Sequence, residues 1–168
     1  MDTHGVIYRD VVRYLGTTRG FAWIAARLAP LDARVIKASG GRFGLIGRHS
    51  LPQLLLTTTG RRSGQPRTVA LLYGRRGEEI VLIGSNFGQA HHPAWALNLE
   101  ATPQAIVEID GRPVAVEARQ VTDPDEREGI WAQMIEIYPG YAMYRSSAGR
   151  DVKVFAVRAA DQGTTLVP

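Results

Sequence analysis

The sequence predicts a mainly β, α+β fold, a small antiparallel barrel of six strands with helical covers. From Gln53 onward the chain breaks into six short runs of β-type texture: QLLLTTT, RTVALLYG, EIVLIGS, QAIVEID, RPVAVEARQ and VKVFAVR. QAIVEID and RPVAVEARQ meet at Asp110-Gly111, the strongest short-range signal for a two-residue hairpin. Only two helical patterns interrupt these runs, whereas a parallel sheet would need a crossover helix after nearly every strand. An antiparallel sheet with a few covering helices is what remains.

Taken in order, residues 1–50 read as a helical N-terminal arm. Ile7, Val11, Tyr14 and Leu15 share one face of a first segment, and Phe21, Ile24, Ala25 and Leu28 one face of a second. Arg9, Arg13, Arg19 and Arg27 lie among them, so the arm is basic as well as amphipathic. It has two readings: a cover over the protein's own core, or peripheral contact with an anionic membrane surface. Pro30 and the glycine-rich GGRFGLIG then break the pattern, and that stretch lacks the spacing of a dinucleotide loop. Residues 51–168 form the barrel domain, in one folding unit with the arm. Within it, a helix is expected around residues 93–100 and another over 124–138. The second is opened by Asp123 as N-cap, Pro124 at the first helical position and Glu126 three residues after the cap. Its inner face is Trp131, Met134, Ile135 and Tyr138. Val114, Val116 and Ala118 alternate as a half-buried strand requires.

Composition narrows the function. A chain of 168 residues and 18.4 kDa, 45% hydrophobic, is the size of one domain with one sizeable core. It contains no cysteine, so disulfides, thiolate metal sites and a catalytic thiol are excluded. No apolar run has the length of a signal peptide or a membrane span, which makes a cytoplasmic protein the expectation. Charge is uneven. Residues 1–76 carry 13 Lys+Arg against Asp2, Asp10 and Asp32, while residues 77–168 carry 7 against 13 acidic residues. Eighteen of the 20 basic residues are arginine, whose planar fork matches phosphate and carboxylate, although arginine-rich codon usage gives the same bias.

Three constellations can carry chemistry. Residues 57–67, TTTGRRSGQPR, form a turn between two apolar strands. Gly60 and Gly64 permit a concave nest of amides, Ser63 adds a hydroxyl, and Arg61, Arg62 and Arg67 add charged donors, together suited to a phosphate. The turn lacks the P-loop spacing. The second, GSNFGQAHHPAWALN, ends a strand at Gly84-Ser85-Asn86, where small residues let a flat ring approach, and continues into a helix on which Trp95 and Asn98 share a face. Trp95 as core with Asn98 as a surface residue, or the two as a cofactor wall, are the alternatives. The nucleophile-elbow spacing is missing, and His4, His49, His91 and His92 have no metal-ligand spacing. The third, YPGYAMY, places Tyr138, Tyr141 and Tyr144 at every third residue. Neutral at pH 7, they can donate to an oxyanion. Tyr138 falls on the apolar face of the helix and reads as packing, while Tyr141 and Tyr144 are freer. Arginines without an aromatic-rich β surface argue against nucleic acid.

LLLTTTGRRSGQPR, GSNFGQAHHPAWALNL and YPGYAMY, in this order and spacing over residues 54–157, resemble the deazaflavin-dependent nitroreductase family, which uses coenzyme F420. The resemblance implies a split β-barrel, a fold shared with flavin-binding oxidases. It implies that Arg61, Arg62 and Arg67, with Ser63 and Gly64 in the turn, hold the cofactor phosphate and glutamate tail. Ser85, Asn86, Ala94, Trp95 and Asn98, with Leu72 on the second strand, would contact the cofactor. Tyr138, Tyr141 and Tyr144, with Ser85, would serve catalysis on a small electron acceptor such as a quinone, enone or nitroaromatic. Arg62 stands where members often have lysine, which keeps the charge. Asn86 stands where some have lysine, which implies weaker tail binding, and Ala94 where some have methionine, which implies a wider floor. An FMN-using relative and a deazaflavin carrier without turnover are the alternative functions. The sequence leaves the oligomeric state open.

Overall fold

The computed structural model describes residues 51–161 and 166, so the expectations for the N-terminal arm, membrane contact included, lie outside the described residues. The described residues form seven strands: β1 (Gln53–Thr59), β2 (Pro66–Leu72), β3 (Gly74–Arg76), β4 (Glu79–Ile83), β5 (Gln104–Ile109), β6 (Arg112–Gln120) and β7 (Val154–Ala159). Among the described residues three α-helices accompany them: α1 (Ala94–Ala101), α2 (Pro124–Ile137) and α3 (Gly140–Ser147). All pairings are antiparallel, in the order β2-β1-β5-β6-β7-β4-β3.

The seventh strand corrects the expectation of six, and the reason is steric. The RTVALLYG run does not continue straight. It ends at Leu72, Tyr73 hands its N–H to the Pro52 carbonyl (3.2 Å), and Gly74 starts β3. A Cβ on Gly74 would stand 2.9 Å from Val81 Cγ2 and 3.0 Å from Met134 Sδ, so only glycine lets the chain pass this close to β4 and α2. β2 and β3 are also the two outermost strands of the sheet, joined by Tyr73 alone, so the sheet must curl for one residue to bridge its edges. A half-barrel results.

Local chemistry explains the other elements. Asp110 and Gly111 take φ of 50° and 77°, as a two-residue hairpin demands, and Ile109 pairs with Arg112 across the turn. Asp123 caps α2 by accepting the Glu126 N–H (2.8 Å), with Pro124 at its start. Tyr138 and Pro139 then separate α2 from α3, which gives YPGYAMY a helix of its own.

The sheet has a core on each side. Ile80 and Leu82 of β4 and Phe155 and Val157 of β7 pack with Leu54, Leu56, Val107 and Val116 under α1. Val81 and Ile83, Val154 and Ala156 point the other way, into Ile130, Trp131 and Met134 of α2 and the tyrosines. Each such aliphatic side chain removed from water contributes about 1.5–3 kcal/mol, before conformational entropy is set against it. Ile130, absent from the expected inner face of α2, is fully buried, whereas the expected Ile135 is only half-buried.

Candidate active site

β1 and β2 project the tip of their hairpin over the start of α1. A cleft of about 640 Å³ lies between, lined on one side by Gly60, Arg61, Arg62, Ser63, Arg67, Thr68 and Val69 and on the other by Pro93, Ala94, Trp95, Leu97 and Asn98. Asn86, His91 and His92 line it as well. Of the residues named from sequence, Arg61, Arg62, Ser63, Arg67, Asn86, Ala94, Trp95 and Asn98 are thus brought to one cavity. Gly64 sits beside it at the turn, with φ of 66°.

The tip is held in a manner the sequence did not disclose. Ser63 and Gly64 donate to the Gly60 carbonyl (3.1 and 2.7 Å), Gly60 to the Gln65 carbonyl (2.9 Å), and Gln65 to Ser63 Oγ (3.3 Å). Arg61 gives its N–H to Asn98 Oδ1 (3.2 Å). These five amides are committed to the turn and its support, which corrects the expectation of an open amide nest. Anion recognition falls to the guanidinium groups. Among the described residues none of Arg61, Arg62 and Arg67 is ion-paired, and all three are exposed. Three neighbouring cations without carboxylates favour an anionic ligand.

Asn98 is no surface residue. It is 3% exposed, accepts from both the main chain and Nη1 of Arg61 (3.4 Å), and donates through Nδ2 to Thr58 Oγ1 (3.0 Å). Thr58 in turn donates to the Arg67 carbonyl (3.5 Å). A buried chain of polar groups therefore runs from α1 to both ends of the arginine turn. Trp95 serves both alternatives, since its ring packs on Phe155 (5.8 Å between centroids) while lining the cleft.

Other expected residues lie elsewhere. Leu72, at the far end of β2, packs half-buried against the core on the α2 side. Ser85 is buried, next to Asn86 but outside the cleft lining. Tyr138, Tyr141 and Tyr144 are all buried, so the freedom expected for Tyr141 and Tyr144 is not found. Their rings meet edge to face or tilted, and Tyr141 also meets Trp131 edge-on (6.2 Å). The helix ends where expected, at Tyr138, and after Pro139 a second helix, α3, packs the tyrosines inward. Tyr138 and Tyr144 hydroxyls are 3.4 Å apart, and that of Tyr141 has no hydrogen-bond partner among the described residues. Burial pushes all three phenols above the usual tyrosine range, so they are neutral donors at pH 7. The tyrosines reach the cleft indirectly: Tyr144 packs edge-on against Phe87 (6.0 Å), and the adjacent Asn86 lines the cavity.

Sequence reasoning missed Thr58, hidden in a run of three threonines, and Arg150, one arginine among eighteen. A buried position for the middle threonine could have been read from strand alternation, since Leu54, Leu56 and Thr58 share a face. Nothing local marks Arg150. Among the described residues there is no cluster of metal-ligating side chains, and no helix is long and apolar enough to cross a membrane.

Residues 31–159 match the family model described as F420H(2)-dependent quinone reductase. An F420H(2)-dependent quinone reductase of Mycobacterium tuberculosis is 31% identical over 134 residues, which cover 78% of this chain and 89% of that protein. Among solved structures, an F420-H2 dependent reductase, FDR-A, superposes with a TM-score of 0.58 at 33% identity, covering 64% of this chain and 94% of its own. Another, described as a domain-swapped dimer, superposes with a TM-score of 0.61 at 30% identity over 77% of this chain and 96% of its own. The curled antiparallel sheet agrees with these matches, and the chain belongs to the F420H(2)-dependent quinone reductase family.

Proposed function

We infer that this chain is a deazaflavin-dependent reductase that delivers a hydride from reduced coenzyme F420 to an electron-poor acceptor, a quinone foremost. The observation that carries the reading is the cleft itself, in which three arginines with no carboxylate partner among the described residues face a wall of Pro93, Ala94 and Trp95. The donor set suits the coenzyme: guanidiniums for its phosphate and acidic tail, and a flat, largely apolar wall for its ring. When bound, that group supplies a hydride and little one-electron chemistry.

The chain's own work is binding, orientation and proton donation. Arg61, Arg62 and Arg67 hold the anionic end, and Asn98 fixes the direction from which Arg61 does so. Ala94, Trp95 and Asn86 border the ring. The acceptor gains one hydride and one proton, a quinone becoming a hydroquinone. Tyr141, neutral and with no hydroxyl partner among the described residues, would hydrogen-bond the oxygen on which negative charge develops, from the buried tyrosine cluster that meets the cleft through Phe87 and Asn86. Tyr138 and Tyr144 pack against its ring, and Ser85 stands beside Asn86. Purified protein should quench or shift the fluorescence of oxidised F420 on titration, and should then oxidise the reduced form on addition of menadione. Absence of both would sink the reading. Binding without oxidation would instead identify a carrier, and equal turnover with reduced FMN would shift the assignment to a flavin enzyme.

A further inference from the structure

Arg150 lies in the connection from α3 to β7, half-buried, and all its side-chain hydrogen-bond partners among the described residues belong to one segment, residues 84–92. Nη2 donates to the carbonyls of Gly84 (2.9 Å) and Ser85 (3.0 Å), and Nε to that of Gln89 (3.1 Å). Nη1 stands 3.0 Å from Nδ1 of His92. Among the described residues, one side chain thus spans the segment from Gly84 to His92.

The segment needs such a hold. Asn86, Phe87 and Gly88 have φ of 50°, 55° and 76°, three successive residues in the left-handed region, which asparagine and glycine tolerate and phenylalanine does not. The turn's own bonds are few: Gly88 to the Ser85 carbonyl (3.0 Å), Gln89 to that of Asn86 (3.0 Å), and Asn86 Nδ2 to that of His91 (3.1 Å). At Gly88 a Cβ would collide with Ser147 of α3, so the turn is also pressed against the tyrosine helix. The same segment supplies Asn86, His91 and His92 to the cleft.

The contact with His92 carries chemical information. A guanidinium can only donate, so Nδ1 of His92 accepts and the ring's hydrogen resides on Nε2. We propose that Arg150 is a positioning residue, which holds the left-handed segment in shape and fixes His92 as the Nε2–H tautomer, so that the cleft wall is ready-made for the cofactor. Burial, then the cations Arg150 and Lys153, push His92 below the ordinary histidine range, with Glu100 and Asp151 opposing. All these groups favour or oppose the same neutral ring, and the two cations outweigh the two anions. Because Arg150 joins the α3–β7 connection to this wall, it also links the placement of the tyrosines to that of the cleft.

The consequence for cofactor binding rests on the reading of the cleft given above; the consequence for the segment does not. Arg150→Met and Arg150→Lys are compared with wild type by amide hydrogen exchange, by NMR titration of the His92 ring, and by fluorescence titration with oxidised F420. In Arg150→Met, exchange should accelerate across residues 84–92 while β5 and β6 stay protected. His92 should lose its single tautomer and titrate at higher pH, and F420 affinity should fall by about tenfold or more, the scale of lost charge-assisted hydrogen bonds. Arg150→Lys, keeping the charge and fewer donors, should fall between. An unchanged exchange pattern with an unchanged His92 tautomer in the methionine variant would overturn the proposal, as would loss of protection spread evenly over the sheet in both variants. Wild-type protein that binds no F420 would end the functional reading, while exchange and the tautomer would still decide the role of Arg150.

Discussion

The side-chain oxygen of Asn98 accepts from Arg61 twice, from the main-chain N–H at 3.2 Å and from Nη1 at 3.4 Å. With its amide nitrogen on Thr58, Asn98 couples the first helix to the arginine turn through both ends of its side-chain amide. Asn98→Ala should therefore cost stability as well as affinity, about 1–3 kcal/mol from stranded buried partners. Asn98→Asp keeps the acceptor, removes the donor to Thr58 and adds a negative charge facing the ligand's anion. It should bind F420 more weakly than Asn98→Ala, despite a stronger pull on Arg61. Thermal melts and fluorescence titrations of both variants check this; equal affinities would argue that no anion lies near Arg61.

Arg62 and Arg67 are exposed and without ion pairs among the described residues, so neither holds the fold together. Replacing either by alanine should leave stability within about 0.5 kcal/mol while weakening F420 binding. The salt dependence of binding should also become shallower in each variant, because fewer charges are screened. A variant with unchanged salt dependence would remove that arginine from the site.

Tyr141→Phe should lower kcat for menadione while leaving F420 affinity near wild type, since the ring packing against Trp131 is kept and only the donor is lost. Full turnover in the variant would dismiss Tyr141 as the hydrogen-bond donor to the developing anion.

Burial raises the phenols of Tyr138, Tyr141 and Tyr144 in the folded state. For a group whose folded pKa lies above its unfolded value, the associated stability is complete below the unfolded pKa. It is lost as pH rises toward the folded one. The melting temperature should accordingly be insensitive to these tyrosines up to about pH 9 and fall steeply above about pH 10, the unfolded tyrosine value. Phenylalanine at Tyr141 should make the alkaline fall less steep. A parallel decline in wild type and variant would contradict burial of that phenol.

Gly74→Ala tests the curl of the sheet without touching the cleft. The added methyl would meet Val81 and Met134, at a cost of about 1–3 kcal/mol, so the variant should melt several degrees lower. Its F420 affinity, measured well below the melting temperature, should be unchanged.

Much of this architecture was legible because local signals agreed with the tertiary outcome. Asp110-Gly111 could turn only one way, and Asp123-Pro124 could only open a helix. The arginine turn was visible because like charges gathered at a glycine-flanked tip have few structural uses. What escaped depended on contacts distant in sequence. Whether Gly74 bends a strand is decided by Val81 and Met134, and whether the turn's amides are open is decided partly by Asn98. The tyrosines follow the same rule. Their three-residue spacing suggested an accessible edge, but the reversal at Pro139 lays α3 against α2 and turns all three inward.

β4 and β7 bury both of their faces, Ile80, Leu82, Phe155 and Val157 toward α1 and Val81, Ile83, Val154 and Ala156 toward α2 and α3. Neither core can come apart while these strands stay folded, and neither can persist once they separate. The described domain should accordingly unfold in one calorimetric transition, with calorimetric and van't Hoff enthalpies equal. A ligand seated beneath the arginine turn would then raise the unfolding free energy of the distant tyrosine helices by the same amount, through mass action alone.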